Sequence, residues 1–211
     1  MTTEELSRAL ATDGYVGRKP AVALLIALPV ATALAAVLFF TRIGFRDDID
    51  AALHTVRFLF KFVVILPLAV VTVGALFRST GPNTALGWWA ILLPLPLLLL
   101  CAGVAAELLA IPSSDWIGRL VGSNAINCVT LIPILATGPL AMFIAALRNG
   151  APLDPSLSGA IACLAASSIA AALYAMNCFD DSPLFVITWY PLAIFGVVLA
   201  GYFAGARYLQ W

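Results

Sequence analysis

AVALLIALPVATALAAVLFF, running from Ala21 to Phe40 directly after Arg18, Lys19 and Pro20, holds no charged residue. At about 1.5 Å per residue, a helix over this stretch is about 30 Å long, the thickness of a bilayer's hydrocarbon core. A membrane interior offers no water to backbone N–H and C=O groups, so an apolar run of this length crosses it as a helix. The run is too long for a signal-peptide core and lacks a small-residue cleavage site, so it reads as a retained span.

Five further stretches repeat the pattern, at about residues 58–77, 86–111, 125–147, 157–176 and 184–206. The fold class expected is all-α: a polytopic transmembrane bundle of six helices with short loops and no inserted soluble domain. Composition supports it. The 211 residues are 63% hydrophobic and 10% charged, against about 25% charged in an average soluble domain. So few charges could not cover the surface of a soluble fold. A formal net charge of zero leaves no basic face for nucleic acid. The chain divides into an N-terminal segment, residues 1–20, and a transmembrane domain, residues 21–211.

Orientation rests on cations. Arg8, Arg18, Lys19, Arg78, Arg148 and Arg207 fall on one side of six spans, and Arg42, Arg46, Arg57, Lys61 and Arg119 on the other. The tight Arg18-Lys19 pair before the first span tips the balance, since the first helix usually sets topology. Both termini are expected in the cytoplasm, and the loops around Asp48, Asp115 and Asp181 outside.

Polar groups at membrane depth are scarce, which argues against catalysis. Glu107 is the only carboxylate inside a span, about a turn from its end, and reads as a snorkelling or interface residue. There is no GxSxG elbow, HExxH pair, CxxC pair or phosphate loop. A transporter would show paired ionisable groups near the midplane and inverted repeats; a small transporter or channel is therefore the alternative class. Seven prolines (Pro29, Pro67, Pro94, Pro96, Pro133, Pro139 and Pro191) read as kinks that neighbouring helices accommodate. Gly159, Cys163, Ser167 and Ala171 recur every four residues, and Gly201 and Gly205 do the same in the last span. Such stripes let helices approach closely, chiefly within the chain, with a homodimer face as the lesser reading.

Four cysteines separate by depth. Cys101 and Cys163 fall inside spans and read as small buried hydrophobes. Cys128 begins the fourth span and Cys178 follows the fifth, so parity puts both at one membrane face. Under the chosen topology that face is the oxidising compartment, where disulfides persist.

The run Cys178-Phe-Asp-Asp-Ser-Pro-Leu-Phe-Val-Ile-Thr-Trp-Tyr190 resembles the signature of the NrsF-type anti-sigma factors, six-helix inner-membrane proteins of bacteria. Arg148-Asn-Gly-Ala-Pro-Leu-Asp-Pro155 is similar to that family's loop between spans four and five, and Cys128 matches its first cysteine. The resemblance implies a regulator bound to the bacterial inner membrane. It would hold an extracytoplasmic-function sigma factor through its cytoplasmic N-terminal segment, and release it when the outward cysteine pair, Cys128 and Cys178, meets oxidant or heavy metal. The family often has histidine immediately before the second cysteine; here Asn177 stands there, which weakens any mechanism needing that imidazole.

Two features of the residues agree with this. In the N-terminal segment, Thr3 can cap a short helix with Glu4 and Glu5 at its positive end. Glu5, Leu6, Ala9 and Leu10 would then present an apolar stripe suited to a helix-binding groove; a tail lying on the lipid surface is the other reading. Asp180, Asp181 and Ser182 neighbour Cys178. The two carboxylates could assist a soft cation such as zinc or cadmium held transiently by sulfur. Alternatively they cap span six with Ser182, ahead of Pro183. No resident cofactor is expected.

Overall fold

The computed structural model describes residues 20–80, 86–150 and 154–209. The N-terminal residues Glu5, Leu6, Ala9 and Leu10 lie outside the described residues. Six long apolar helical segments are present, all of them foreseen in the sequence. They are α1 (Pro20–Arg42), α3 (Val56–Ser79), the pair α4 (Trp88–Leu92) and α5 (Leu95–Ala110), α7 (Ala125–Leu147), α8 (Pro155–Tyr174) and α9 (Pro183–Tyr208). Two short helices lie in the loops, α2 (Ile49–Ala52) and α6 (Trp116–Val121).

Helix starts follow their capping chemistry. Thr55 accepts from Phe58 N at the start of α3, and Asp154 from Leu157 N at the start of α8. Ser182 accepts from Leu184 N at the start of α9. Pro155 and Pro183 occupy first-turn positions, where a missing N–H costs nothing. Pro29, Pro67, Pro133, Pro139 and Pro191 sit inside continuous helices. The third span is interrupted at one of the prolines read as kinks. It breaks between Leu92 and Leu95, at Pro94, because proline cannot donate to the helical ladder. The Trp89 ring lies where a Cβ on Gly74 would be, which seats α4 on α3.

α8 is the centre of the bundle, packed against α9, α7, α3 and α1. Its residues explain the position. Gly159, Ala162, Cys163, Ala165, Ala166, Ser167, Ser168, Ala170 and Ala171 are all buried, and side chains this small let four neighbours close in. The glycine stripe of α9 faces it: a Cβ on Gly159 would strike the Gly201 carbonyl and Gly205, and one on Gly201 would strike Cys163. The small-residue stripe is thus occupied inside the chain, leaving the homodimer reading without that face. At mid-depth the Thr72 and Ser168 hydroxyls share a hydrogen bond of 3.0 Å between α3 and α8, and both also bond carbonyls of their own helices. Cys101 departs from expectation. It is exposed, on the lipid-facing side of α5, whereas Cys163 is buried as expected.

Gly201→Leu is expected to wedge α9 from α8 and to cost about 1–3 kcal/mol by overpacking. Gly196, with open space at its Cβ position, should tolerate Ala within about 0.5 kcal/mol. Unfolding of the two variants in mixed micelles, followed by circular dichroism, checks the contrast.

Candidate functional site

One end of the bundle gathers the loop from α1 to α3, the loop from α5 to α7 and the loop from α8 to α9. All five ion pairs among the described residues lie here. They form two groups around the segment from Cys178 to Ser182.

The first group centres on Asp181. Lys61, in the second turn of α3, is 1% exposed at its side chain and pairs with Asp181 Oδ1 at 2.5 Å. Its ammonium also donates to the carbonyl oxygens of Cys178, at 3.0 Å, and Asp180, at 3.4 Å. Arg46 is buried as well. Its Nη1 donates to Asp181 Oδ2 at 2.9 Å and to the Cys178 carbonyl at 3.1 Å, while Nε and Nη2 grip Asp48 at 2.6 and 2.8 Å. The Phe179 ring lies 4.8 Å from the guanidinium carbon, a cation–π distance. The Arg46 hydrogen bond holds the Asp48 carboxyl below the ordinary carboxylate range. The pair therefore persists as pH falls through the range where free carboxylates protonate. Two cations buried with a shared carboxylate and a shared carbonyl satisfy the rule that buried charge must be both paired and hydrogen-bonded.

The second group centres on Glu107, one turn before the end of α5. The sequence reading made it a snorkelling residue; instead its side chain is 3% exposed. Ser182 Oγ donates to Oε2 at 2.6 Å, and Arg57 and Arg119 each reach Oε1 at 3.2 Å. Leu184 N lies 3.4 Å from Oε2. The carboxylate therefore sits at the N-terminus of α9, where a negative charge is favoured, and binds α3, α5, α6 and α9 together.

The acidic pair beside Cys178 divides its work. Asp181 takes the cations, as above. Asp180 Oδ2 accepts from Ser123 N at 2.9 Å and Asn124 N at 2.7 Å, which ties the start of α7 to the loop before α9. Gly122 makes room: its φ is +58°, and a Cβ there would run into the Asp180 carboxylate and the Phe185 ring. Only Ser182 caps span six; the two aspartates do not. Their carboxylates are already engaged.

Under this lid lie the two thiols. Cys128, in the first turn of α7, and Cys178 are both fully buried, as is Tyr174; Tyr190 is nearly so. The structure places Cys128 and Cys178 in the same buried cluster. It also corrects the idea that they stand open to water at the membrane face: the lid covers them. The tyrosine rings pack at 6.0 Å between centroids. Tyr174 Oη approaches the Asn124 carbonyl at 3.5 Å. Tyr190 Oη lies beside the Cys178 sulfur without a well-formed hydrogen bond to any partner. Cys178 Sγ sits 3.7 Å from the Asp180 carbonyl. Burial pushes the Cys178 thiol up, and the Lys61 ammonium opposes that push. The thiolate, not the thiol, is the nucleophile and metal ligand. Among the described residues no three His, Cys, Asp or Glu side chains gather as a metal-ligand group.

Arg46, Lys61, Arg57, Arg119, Tyr174 and Tyr190 were not singled out as site residues from the sequence. One signal was available: a lysine in the second turn of an apolar span, at the same membrane end as the Asp-Asp pair, needs a buried counter-charge. Asp181→Asn is expected to cost on the order of 3 kcal/mol, because it leaves Lys61 and Arg46 undercompensated. Maleimide labelling of Cys178 should then accelerate severalfold over the wild-type protein. Unchanged labelling in folded Asp181→Asn would show that the ion pairs do not hold the lid closed.

No solved structure matches this chain. Among curated proteins, it is 30% identical over 220 residues to the anti-sigma-F factor NrsF of Caulobacter vibrioides, with all of both chains covered. It is 27% identical over 213 residues to the probable anti-sigma-F factor NrsF of Azospira oryzae, again with full coverage of both. The family model described as negative regulator of sigma F matches residues 10–211, which takes in every helix of the bundle and both thiols under the lid, and the chain therefore belongs to the NrsF family of negative regulators of sigma F.

Proposed function

We propose that this membrane-embedded anti-sigma factor holds an extracytoplasmic-function sigma factor through its N-terminal segment and releases it when Cys128 and Cys178 react. The observation that carries the reading is the buried thiol pair, closed under a segment that Lys61 and Arg46 anchor by its own backbone. In this arrangement both termini and the Arg78 and Arg148 loops face the cytoplasm of the bacterial inner membrane, and the ionic end faces outward.

Glu5, Leu6, Ala9 and Leu10 are the residues of this segment that would enter a groove of the sigma factor. The pair responds by oxidation or by taking a soft metal. A peroxide first accepts two electrons from one thiolate, giving a sulfenic acid and water or an alcohol; the second thiol then displaces water to close the disulfide. The two sulfurs fit a disulfide, or a soft cation such as zinc or cadmium held transiently and mainly by sulfur. A disulfide holds its Cα atoms within about 7 Å, which would tie the start of α7 to the segment after α8. That strains the Asp180 and Asp181 contacts and shifts the helices whose other ends face the sigma factor.

Deleting residues 2–16, or changing Leu6 and Leu10 together to Asp, should abolish sigma-factor capture in a pull-down while membrane insertion persists. Capture by the truncated protein would move recognition to the cytoplasmic loops. In a sigma-dependent reporter strain exposed to peroxide or cadmium, Cys128→Ser and Cys178→Ser should each blunt induction about as much as the double variant, since the pair acts as one unit. Cys101→Ser and Cys163→Ser should respond normally. A normal response in the double variant rejects the sensor.

A further inference from the structure

A cleft of about 1020 Å3 opens between the first turns of α3, the second half of α5, the short helix α6 and the loop before α9. Its wall is apolar, with Phe60, Leu99 and Ala106 along it, and its rim carries Arg57, Arg119 and Glu107. The wall has a sequence cause. Gly103 lets the Phe60 ring lie directly against α5, where a Cβ would collide with it, and small residues on the same face leave the space beyond empty.

The rim carries both signs of charge, Arg57 and Arg119 beside Glu107, Asp180 and Asp181. Its carboxylates are engaged: Glu107 accepts from Ser182 and Arg119 and pairs with Arg57, Asp180 accepts from the Ser123 and Asn124 backbone, and Asp181 accepts from Arg46 and pairs with Lys61. The guanidiniums are engaged only in part. Arg57 reaches Glu107 through Nε and Arg119 through Nη1, each at 3.2 Å, and their side chains are 48% and 34% exposed. Each guanidinium carries five N–H donors in a planar fork, so the accessible donors at the rim belong to two cations. Paired guanidinium forks match the oxygens of a phosphate. The apolar wall continues onto the outward face of α5, where Leu98 and Leu109 are exposed. A soluble anion has no use for such a wall; an acyl chain does.

We infer that this cleft binds one anionic phospholipid, its phosphate between Arg57 and Arg119 and an acyl chain along Phe60, Leu99 and Ala106. The volume stands at the upper end of the range for small-molecule sites, large enough for a headgroup and the upper part of a chain. Glu107 lies beneath the phosphate position and keeps the two forks oriented, while its own charge stays compensated by Ser182 and the start of α9.

Native mass spectrometry of the full-length protein released from detergent micelles tests this. The micelles are supplied with synthetic phosphatidylglycerol, phosphatidylcholine or inorganic phosphate. A single phosphatidylglycerol adduct is expected, with phosphatidylcholine retained about tenfold more weakly, a difference of about 1.4 kcal/mol. Inorganic phosphate should not displace the adduct. Arg57→Gln with Arg119→Gln should erase the preference between the two lipids. Because that variant also leaves Glu107 undercompensated, Ala106→Phe supplies a second one, filling the wall without touching an ion pair. It should lose the adduct while keeping the wild-type unfolding temperature. Equal retention of both lipids by the wild-type protein, displacement by inorganic phosphate, or an adduct that survives Ala106→Phe would each overturn the inference.

Discussion

An ammonium buried in a membrane protein must be compensated on every side, and Lys61 sets that requirement for this fold. Leaving it unpaired would cost several kcal/mol, so the chain brings it a carboxylate from Asp181 and two carbonyl oxygens from the same segment. The segment from Cys178 to Ser182 consequently cannot lie freely over the bundle. It is held against α3 by Lys61 and against the first loop by Arg46. The start of α9 follows directly from its end, since Ser182 caps that helix while donating to Glu107. The loop positions are thus set by charge pairing rather than by loop propensity.

Deeper in the membrane a different physics operates. Lipid tails are as apolar as leucine, so hydrophobicity does not drive helix against helix, and close contact between small residues does. α8 supplies that contact. Its run of alanine, serine, glycine and cysteine admits α9, α7, α3 and α1 at short range, and the glycines of α9 complete the fit.

The thiols sit where these two regimes meet. Cys128 and Cys178 lie between the ionic cluster and the small-residue core, both fully buried. Asp180 ties the start of α7, and with it Cys128, to the segment carrying Cys178. Membership of the NrsF family implies a sigma factor as the partner of this bundle.

The sequence by itself was enough for the six spans, because twenty apolar residues in a bilayer have one way to satisfy their backbone. Residues 125–147 were bounded to the residue. It was enough, through the Cys178 to Tyr190 run, for the family resemblance, and through parity, for Cys128 and Cys178 sharing one end. The intramolecular use of the Gly159 to Ala171 stripe was also legible, since its four-residue spacing matches that of Gly201 and Gly205. What only the tertiary structure decided is which charges meet. Glu107 looked like an interface residue because its partners lie on three other elements: Arg57 is 50 positions away, Arg119 comes from a short helix with no apolar periodicity, and Ser182 lies in the last loop. Asp180 and Asp181 looked like one cluster, yet they point into different contacts. Burial of the thiols and exposure of Cys101 were equally invisible. Each depends on which face of a helix its neighbours cover, and in lipid every face of an apolar helix reads the same.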